Sequence, residues 1–422
     1  MCSLQPGAKV KSTARPATDP LRGFPTALKQ VRPGSYGSAR ASANTDEFRP
    51  VSPRGRVEGS AREWGSTHSD AGPSSAGYAG RLYAKERLAP LRRCPFEDIG
   101  HSPTRGGIPI LHVVRQAPNE VIDVALWAAD EDFPIYPVGS KPKKLVVSPA
   151  ELPAAFLKPK QGYLFKGAHG WQAASMWSEI IAYEISRVLG VNVPPSFVAV
   201  NSNTGETGAL IEFFYPYPAP KKSLRLVHAA DFMQEQFAND KKGRPHSLRG
   251  NLAVCRLLKA PDALTWWAEA ILFDTLIGNT DRHPENWGFL VEQAEAQTAI
   301  LAPLYDNGTS LGYGVQEGKL DPPWDPVRVG KFVARGTHDI GWSREEDGPT
   351  EHLGLCARFF TTYPRCRSIA KRLLSFTDDQ IRDIVGWAER FSVPVPFTHR
   401  RGQFIVQQLA VRRDSLVKAI GL

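Results

Sequence analysis

Two stretches of the chain, GNTDRHPENWGFL at 278–290 and LAPLYDNGTSLG at 301–312, put Asp281, Asn286 and Asp306 on either side of a short apolar run. Two carboxylates and a carboxamide so arranged suit phosphoryl transfer. That reaction asks for one carboxylate to orient an attacking hydroxyl or take its proton, and for an Asn and a second Asp to hold magnesium on nucleotide phosphates. Residues 287–291 have strand composition, and a return of the chain after them brings Asp306 to face Asn286 across a metal position. The donors are hard oxygens and His283 is the only imidazole among them, which favours magnesium over zinc. In this reading His283 hydrogen-bonds the loop backbone and Arg282 braces the same loop. A polar, charged cluster directly after an apolar helix has little packing rationale, so an ordinary turn explains it poorly.

Those groups need elements to hold them. Just upstream, residues 262–277 (DALTWWAEAILFDTLI) have the apolar spacing of a helix, with Trp266 and Trp267 assigned to the core. Further back, IPILHVV at 108–114, KLVV at 144–147, YLFKG at 163–167 and SFVAV at 196–200 are short β-rich runs separated by Gly and Pro. They predict a small antiparallel sheet. Between two of them, Trp177, Ile180, Ile181, Tyr183, Ile185, Val188 and Leu189 recur at helical intervals over 175–189, and Gly190 supplies the stop. ALIEFFYPYP at 209–218 reads as a strand running into prolines, a hinge between lobes. Residues 352–363, 367–375, 377–391 and 402–420 again have helical spacing. The fold class expected is α+β and bilobal, with a sheet-bearing lobe over 106–215 and a mainly helical lobe over 216–422.

Bulk composition narrows the partners. The chain has 422 residues, 42% of them hydrophobic, enough for one large core or two adjoining ones. Its net charge of +9 is unevenly spread: residues 1–105 hold 17 Lys+Arg against 9 Asp+Glu, leaving 35 against 34 from the totals of 52 and 43. A near-neutral body with a basic arm argues against a broad phosphate-binding face on the folded part. Nucleic-acid contact is left to a salt-sensitive arm. Residues 1–105 are rich in Pro, Gly, Ser, Ala and Arg with little apolar periodicity, and are expected to be a disordered tail. Five cysteines without a C-x-x-C pair indicate neither a zinc site nor a disulfide framework. No apolar run reaches transmembrane length and the start lacks the apolar core of a secretory signal, so a cytoplasmic protein without a membrane partner is expected.

The five-residue step from Asp281 to Asn286 matches the H-R-D-x-x-x-x-N kinase loop. NTDRHPEN together with LYDNG resembles the catalytic and metal loops of HipA-like kinases, a group distantly similar to phosphatidylinositol 3-/4-kinases. YPVGSKPKK at 136–144 resembles the family's Gly-containing nucleotide loop, with Gly139 and Lys143 on matching positions and Ser140 beside them. The resemblance makes Lys166 of YLFKG the phosphate-binding lysine and Glu179 of SEIIAYEISRVLGVNVPP (178–195) its pairing acid. Glu184, five residues on, lies on another face of that helix. LIEFF at 210–214 resembles the hinge that meets adenine, which brings in Glu212 and Phe213, and LVHAADFMQ at 226–234 resembles the helix start that follows. What the family implies is ATP and Mg2+ as cofactors, catalytic roles for Asp281, Asn286 and Asp306 with the last two on the metal, a Ser or Thr hydroxyl of a protein as acceptor, and an antitoxin as a partner of a toxin.

The chain also departs from the family. Tyr136, Pro137 and Val138 stand where relatives carry an autophosphorylated serine, leaving Ser140 and Ser148 as the nearest hydroxyls. The region before residue 122 does not match the family's amino-terminal accessory subdomain, so antitoxin docking does not follow automatically. Two other readings stay open: a lipid or small-molecule kinase, and a kinase-shaped binding module without catalysis.

Overall fold

Short apolar-rich runs between Gly and Pro pair into the first layer. In the computed structural model, which describes residues 114–129, 143–152, 154–215, 224–237, 246–292, 299–346 and 350–422, this layer is a six-stranded sheet. Its strands are β1 (Ile122–Asp123), β2 (Ala128–Ala129), β3 (Lys143–Val147), β4 (Gly162–Gly167), β5 (Ser196–Asn201) and β6 (Glu206–Glu212), in the order β1-β5-β6-β4-β3-β2. The expected tail over 1–105, most of the IPILHVV run, and Gly139 and Ser140 lie outside the described residues. Val114, the last residue of that run, is exposed and not in a strand.

All pairings are antiparallel except one, in which β1 lies parallel to β5. The expectation of a purely antiparallel sheet is corrected there: a two-residue strand reached from upstream leaves no periodicity to read. Register matters for the site. In the β3–β4 pair Lys143 stands opposite Lys166, and strand alternation sends both side chains to one face.

Helix α1 (Ser175–Leu189) packs on this sheet, ending at Gly190 in the left-handed conformation (φ 65°), as its spacing and terminal glycine predict. It is also fastened to the second lobe. The Trp177 indole donates to the Val395 carbonyl at 3.0 Å, its ring packs against Phe391 and Phe397, and the Ser178 hydroxyl donates to the Ser310 carbonyl at 2.8 Å.

The second lobe carries β7 (Leu224–His228), α2 (Ala229–Phe237), α3 (Leu248–Leu257), α4 (Ala263–Ile277), β8 (Gly288–Glu292), β9 (Ala299–Leu301), α5 (Pro326–Ala334), β10 (Thr337–His338), β11 (Thr350–Glu351), α6 (His352–Thr362), α7 (Arg367–Leu373), α8 (Asp378–Ala388) and α9 (His399–Ile420). Helix α4 has apolar residues on every face and is buried from Trp267 onward except at Glu269, so it serves as the axis on which α6, α7 and α9 pack. Strands β7, β8 and β9 form an antiparallel sheet beside it. Thr377 and Thr398 cap α8 and α9 by accepting backbone N–H groups of the first turn. Among the described residues no helix is long and apolar enough to cross a membrane.

The polar loop after α4 starts at Gly278, whose φ is +69° and where an added Cβ would stand 2.5 Å from Nη2 of Arg412 on α9. Gly278→Ala should therefore lower unfolding free energy by about 1–3 kcal/mol, combining left-handed strain with displacement of a buried guanidinium. Urea denaturation measures it, and an unchanged midpoint would contradict the role assigned to this turn.

Candidate active site

The two polar stretches converge because one arginine ties them together. Arg282 is wholly buried. Its Nε and Nη2 donate to the two oxygens of Asp274 on α4 at 3.0 and 2.8 Å; Nη1 donates to the carbonyls of Asn286 and Tyr305 at 2.9 and 2.5 Å, and Nη2 also to Asn307 Oδ1 at 2.7 Å. Burial alone would depress its pKa, but Asp274 outweighs that and holds it above the ordinary arginine value. Asn279 extends the lattice: its amide donates to Asp274 at 3.0 Å, and its Oδ1 accepts from the Asp281 N–H and the Thr309 hydroxyl at 3.1 and 2.9 Å.

A second set of charges joins the lobes. Lys166 Nζ on β4 lies 2.6 Å from Glu179 Oε1 on α1 and 2.9 Å from Asp306 Oδ1, while Lys143 Nζ lies 3.8 Å from Asp306 Oδ2. The other Glu179 oxygen accepts the Asn307 N–H at 2.9 Å, and an added Cβ at Gly308 would stand 3.2 Å from Glu179 Oε1. Burial would lower the Lys166 pKa, yet Asp306 and Glu179 raise it above the ordinary ammonium value. Lys143 is depressed by burial and by the neighbouring Lys166, with partial relief from Asp306. Asp306 itself has a left-handed backbone, φ 58°, which is uncommon for a residue with a side chain and typical of functional strain.

A cleft of about 210 Å3 opens between these groups, and Lys143, Lys166, Glu179, Asp281, Asn286 and Asp306 are among the side chains that line it. The Asn286 amide nitrogen donates to the Asp281 carbonyl at 2.7 Å, so its oxygen is the atom left to the cleft. His283 Nδ1 accepts the Glu285 N–H at 3.2 Å, and in the neutral ring this puts the proton on Nε2, 3.9 Å from Asp281 Oδ1. Burial pushes the Asp281 carboxyl above its ordinary value; His283 opposes the shift, and Asp306 and Asp339 add to it.

Among the described residues no group of three or more His, Cys, Asp or Glu could hold a metal by itself. One carboxylate and one amide oxygen beside two lysines suit Mg2+ nonetheless, since that ion is commonly held by one or two protein oxygens together with substrate phosphates.

The structure thus brings six of the expected residues to one cleft. Glu212 and Phe213 are not among its lining: Glu212 pairs with Lys158 at 2.5 Å, and the Phe213 carbonyl accepts the Gln161 amide at 2.7 Å. Gly139 and Ser140 lie outside the described residues. Glu184 faces away from Lys166 and pairs with Arg115 and Arg187. Sequence reading overlooked Asp274, Asn307, Thr309 and Tyr313. Only Asp274 left a trace, as an acid at a buried position of an otherwise apolar run, where a partner is obligatory.

Three comparisons bear on this geometry. Residues 138–345 match the sequence model described as the HipA-like C-terminal domain. No curated protein matches the chain. Among solved structures, the Helicobacter pylori proinflammatory kinase CtkA superposes with a TM-score of 0.53 at 16% identity, covering 71% of this chain and 98% of that one. That likeness shows a bilobal kinase-like fold. HipA from the Shewanella oneidensis MR-1 toxin–antitoxin complex with HipB and operator DNA aligns at 14% identity over 68% of this chain and 66% of that one, with a TM-score of 0.39, too low to add to the fold assignment.

Beneath the loop that bears Asp281 lie two buried imidazoles. His338 Nε2 meets the Thr275 hydroxyl at 3.0 Å, His352 Nε2 meets the Asn279 carbonyl at 3.0 Å, and the ring centroids are 4.3 Å apart. Burial pushes His338 down to about 4, with Asp274 offsetting part of the shift, and pushes His352 well below its ordinary value. Both rings are neutral in the folded state at neutral pH. The unfolded chain takes up their protons below about pH 6.5, so stability should be level above that pH and fall towards pH 4. The loss from His338 alone is roughly 3 kcal/mol at the acid end. Denaturant titrations across this range should show His338→Gln flattening the slope relative to the parent; equal slopes would contradict burial of a neutral ring.

Proposed function

The chain carries a HipA-like C-terminal domain over residues 138–345 within a kinase-like fold, and from that premise we propose that it is an ATP-dependent serine/threonine protein kinase. The observation that carries the proposal is the meeting of Lys143, Lys166, Glu179, Asp281, Asn286 and Asp306 in one cleft.

In this reading the nucleotide phosphates bind Lys166 and Lys143, and the family resemblance assigns Gly139 and Ser140 to the same phosphates and Glu212 and Phe213 to adenine. Glu179 keeps the Lys166 ammonium in place at 2.6 Å. Phosphate oxygens on the two lysines would take over the charge balance that Asp306 supplies, and Asp306 with the Asn286 oxygen would be the groups to hold Mg2+. That ion would supply neutralisation of the charge on the transferring phosphoryl group. Asp281 orients a Ser or Thr hydroxyl of the substrate and accepts its proton as the new O–P bond forms and ADP departs. A carboxyl pKa raised by burial suits that base. The His283 ring, fixed by the Glu285 N–H, holds its Nε2 towards Asp281.

Family membership also supports a toxin's place in a toxin–antitoxin pair and a cytoplasmic setting. A lipid or other small hydroxyl acceptor is the competing substrate class, and radiolabelled ATP offered with proteins and with lipids separately decides between them.

Asp281→Asn should lower phosphate transfer by about 10²- to 10⁴-fold, the range for loss of a positioned acid or base, while the rise in melting temperature given by ATP with Mg2+ persists. Asp306→Asn should abolish the Mg2+-dependent part of that rise. Undiminished transfer by the first variant, or an unaltered Mg2+ effect in the second, would remove the residue from its role.

A further inference from the structure

The outer face of α5 carries charges that the proposed chemistry does not use. Arg328, Lys331 and Arg335 are exposed and spaced to line one side of the helix, while Val329 and Val333 bury the other. None of the three forms an ion pair with a described residue. The Arg328 guanidinium lies 4.0 Å from the Trp324 ring centroid, and the Asp325 carboxylate is committed to capping the helix at the Arg328 N–H. Nearby acids are taken by other arginines: Asp321 by Arg400 and Glu317 by Arg401.

Helix stability does not account for the stripe. Cations in the last turn complement the helix dipole, which covers Lys331 and Arg335, but Arg328 sits in the first turn, where a positive charge is unfavourable. Like charges three and four residues apart also repel. Nor is the stripe a sample of a basic surface, since residues 106–422 hold 35 Lys+Arg against 34 Asp+Glu.

Its position relates it to the cleft. Four residues beyond Arg335, Asp339 bonds His246 Nδ1 at 2.9 Å, and His246 Nε2 accepts from the Trp287 indole at 3.1 Å, next to Asn286. Four residues span at most about 14 Å and the stripe itself about 10 Å, so all of it stands within about 24 Å of Asp339, the outer end of that chain of contacts.

We infer that Arg328, Lys331 and Arg335 form a docking stripe for an acidic segment of the protein substrate, away from the hydroxyl that is phosphorylated. This rests on the protein-kinase reading above. Three cations in neutral surroundings match a short run of carboxylates. A nucleic acid calls instead for a broad basic face with aromatic platforms, and here Trp324 is already occupied by Arg328.

The test separates docking from chemistry. Fluorescent peptides with one Ser, a Gly-Ser spacer and a block of four Glu on either side are titrated into the full chain by anisotropy, against counterparts with Gln in place of Glu. A tenfold or greater preference for Glu in at least one orientation is expected, weakening with salt and lost in Arg328→Glu/Lys331→Glu/Arg335→Glu, with the melting temperature unchanged. Equal affinity for Glu and Gln peptides, or a preference that survives the triple variant, overturns the stripe. Tighter binding of a single-stranded RNA of equal charge through the same residues reassigns it to nucleic acid and likewise overturns the proposal. Phosphate transfer from ATP is scored separately: stripe-dependent binding of a peptide that is never phosphorylated, while another protein is, overturns its assignment to the substrate. Transfer to no acceptor at all counts against the kinase reading instead.

Discussion

Arg282 carries a positive charge into a part of the protein that water does not reach, and such burial costs several kcal/mol unless the surroundings repay it with well-placed acceptors. Here each of the five guanidinium N–H groups has an acceptor: two on Asp274, two backbone carbonyls and the Asn307 side chain. Those acceptors belong to the axis helix, the loop bearing Asp281 and Asn286, and the loop bearing Asp306. The geometry of the cleft is therefore set by a rigid fork rather than by the loops' own preferences. A lysine, with a point charge and three donors, has no arrangement that replaces it.

From that fork the constraint passes to the other lobe through Glu179. One of its oxygens holds Lys166 and the other takes the Asn307 N–H, while Asn307 Oδ1 is itself an acceptor for Arg282. The helix carrying Glu179 is fastened to the second lobe by Trp177 and Ser178, so the lysine–glutamate pair is held by the protein's own contacts. Charged groups fixed in position are what phosphoryl transfer needs, because the protein's contribution there is mostly position and electrostatics. The left-handed backbone of Asp306 fits the same view: local strain is held by the surrounding hydrogen bonds and turns the carboxylate towards the lysines.

Much of this was legible in the residues. Strong helical periodicity placed α1, α4 and α6 to α9 to within a few residues, because each buries a wide apolar face that leaves a regular imprint, whereas α3 and α5 were not read. The grouping of Asp281, Asn286 and Asp306 could be read from residue type and spacing, since chemistry restricts which side chains serve. What escaped were contacts that depend on three-dimensional closure. The parallel β1 strand is too short to have a period, Asn307 and Thr309 are ordinary loop residues until their partners are known, and the contacts of Glu212 with Lys158 and of the Phe213 carbonyl with Gln161 join residues far apart in the sequence. The placing of Lys143 opposite Lys166 needed the register of β3 against β4, which the two short runs do not reveal.

The claim on which these relations converge is that Asn286 and Asp306 share one divalent ion over nucleotide phosphates held by Lys166. A crystal structure with a non-hydrolysable ATP analogue and Mn2+ tests it directly, because the anomalous signal of manganese locates the ion independently of the refined model of the protein. The expected result is a peak about 2.1 Å from both the Asn286 side-chain oxygen and an Asp306 carboxylate oxygen, with a phosphate oxygen completing the contact. A peak bound elsewhere, with Asp306 still paired to Lys166 and Lys143, would contradict it.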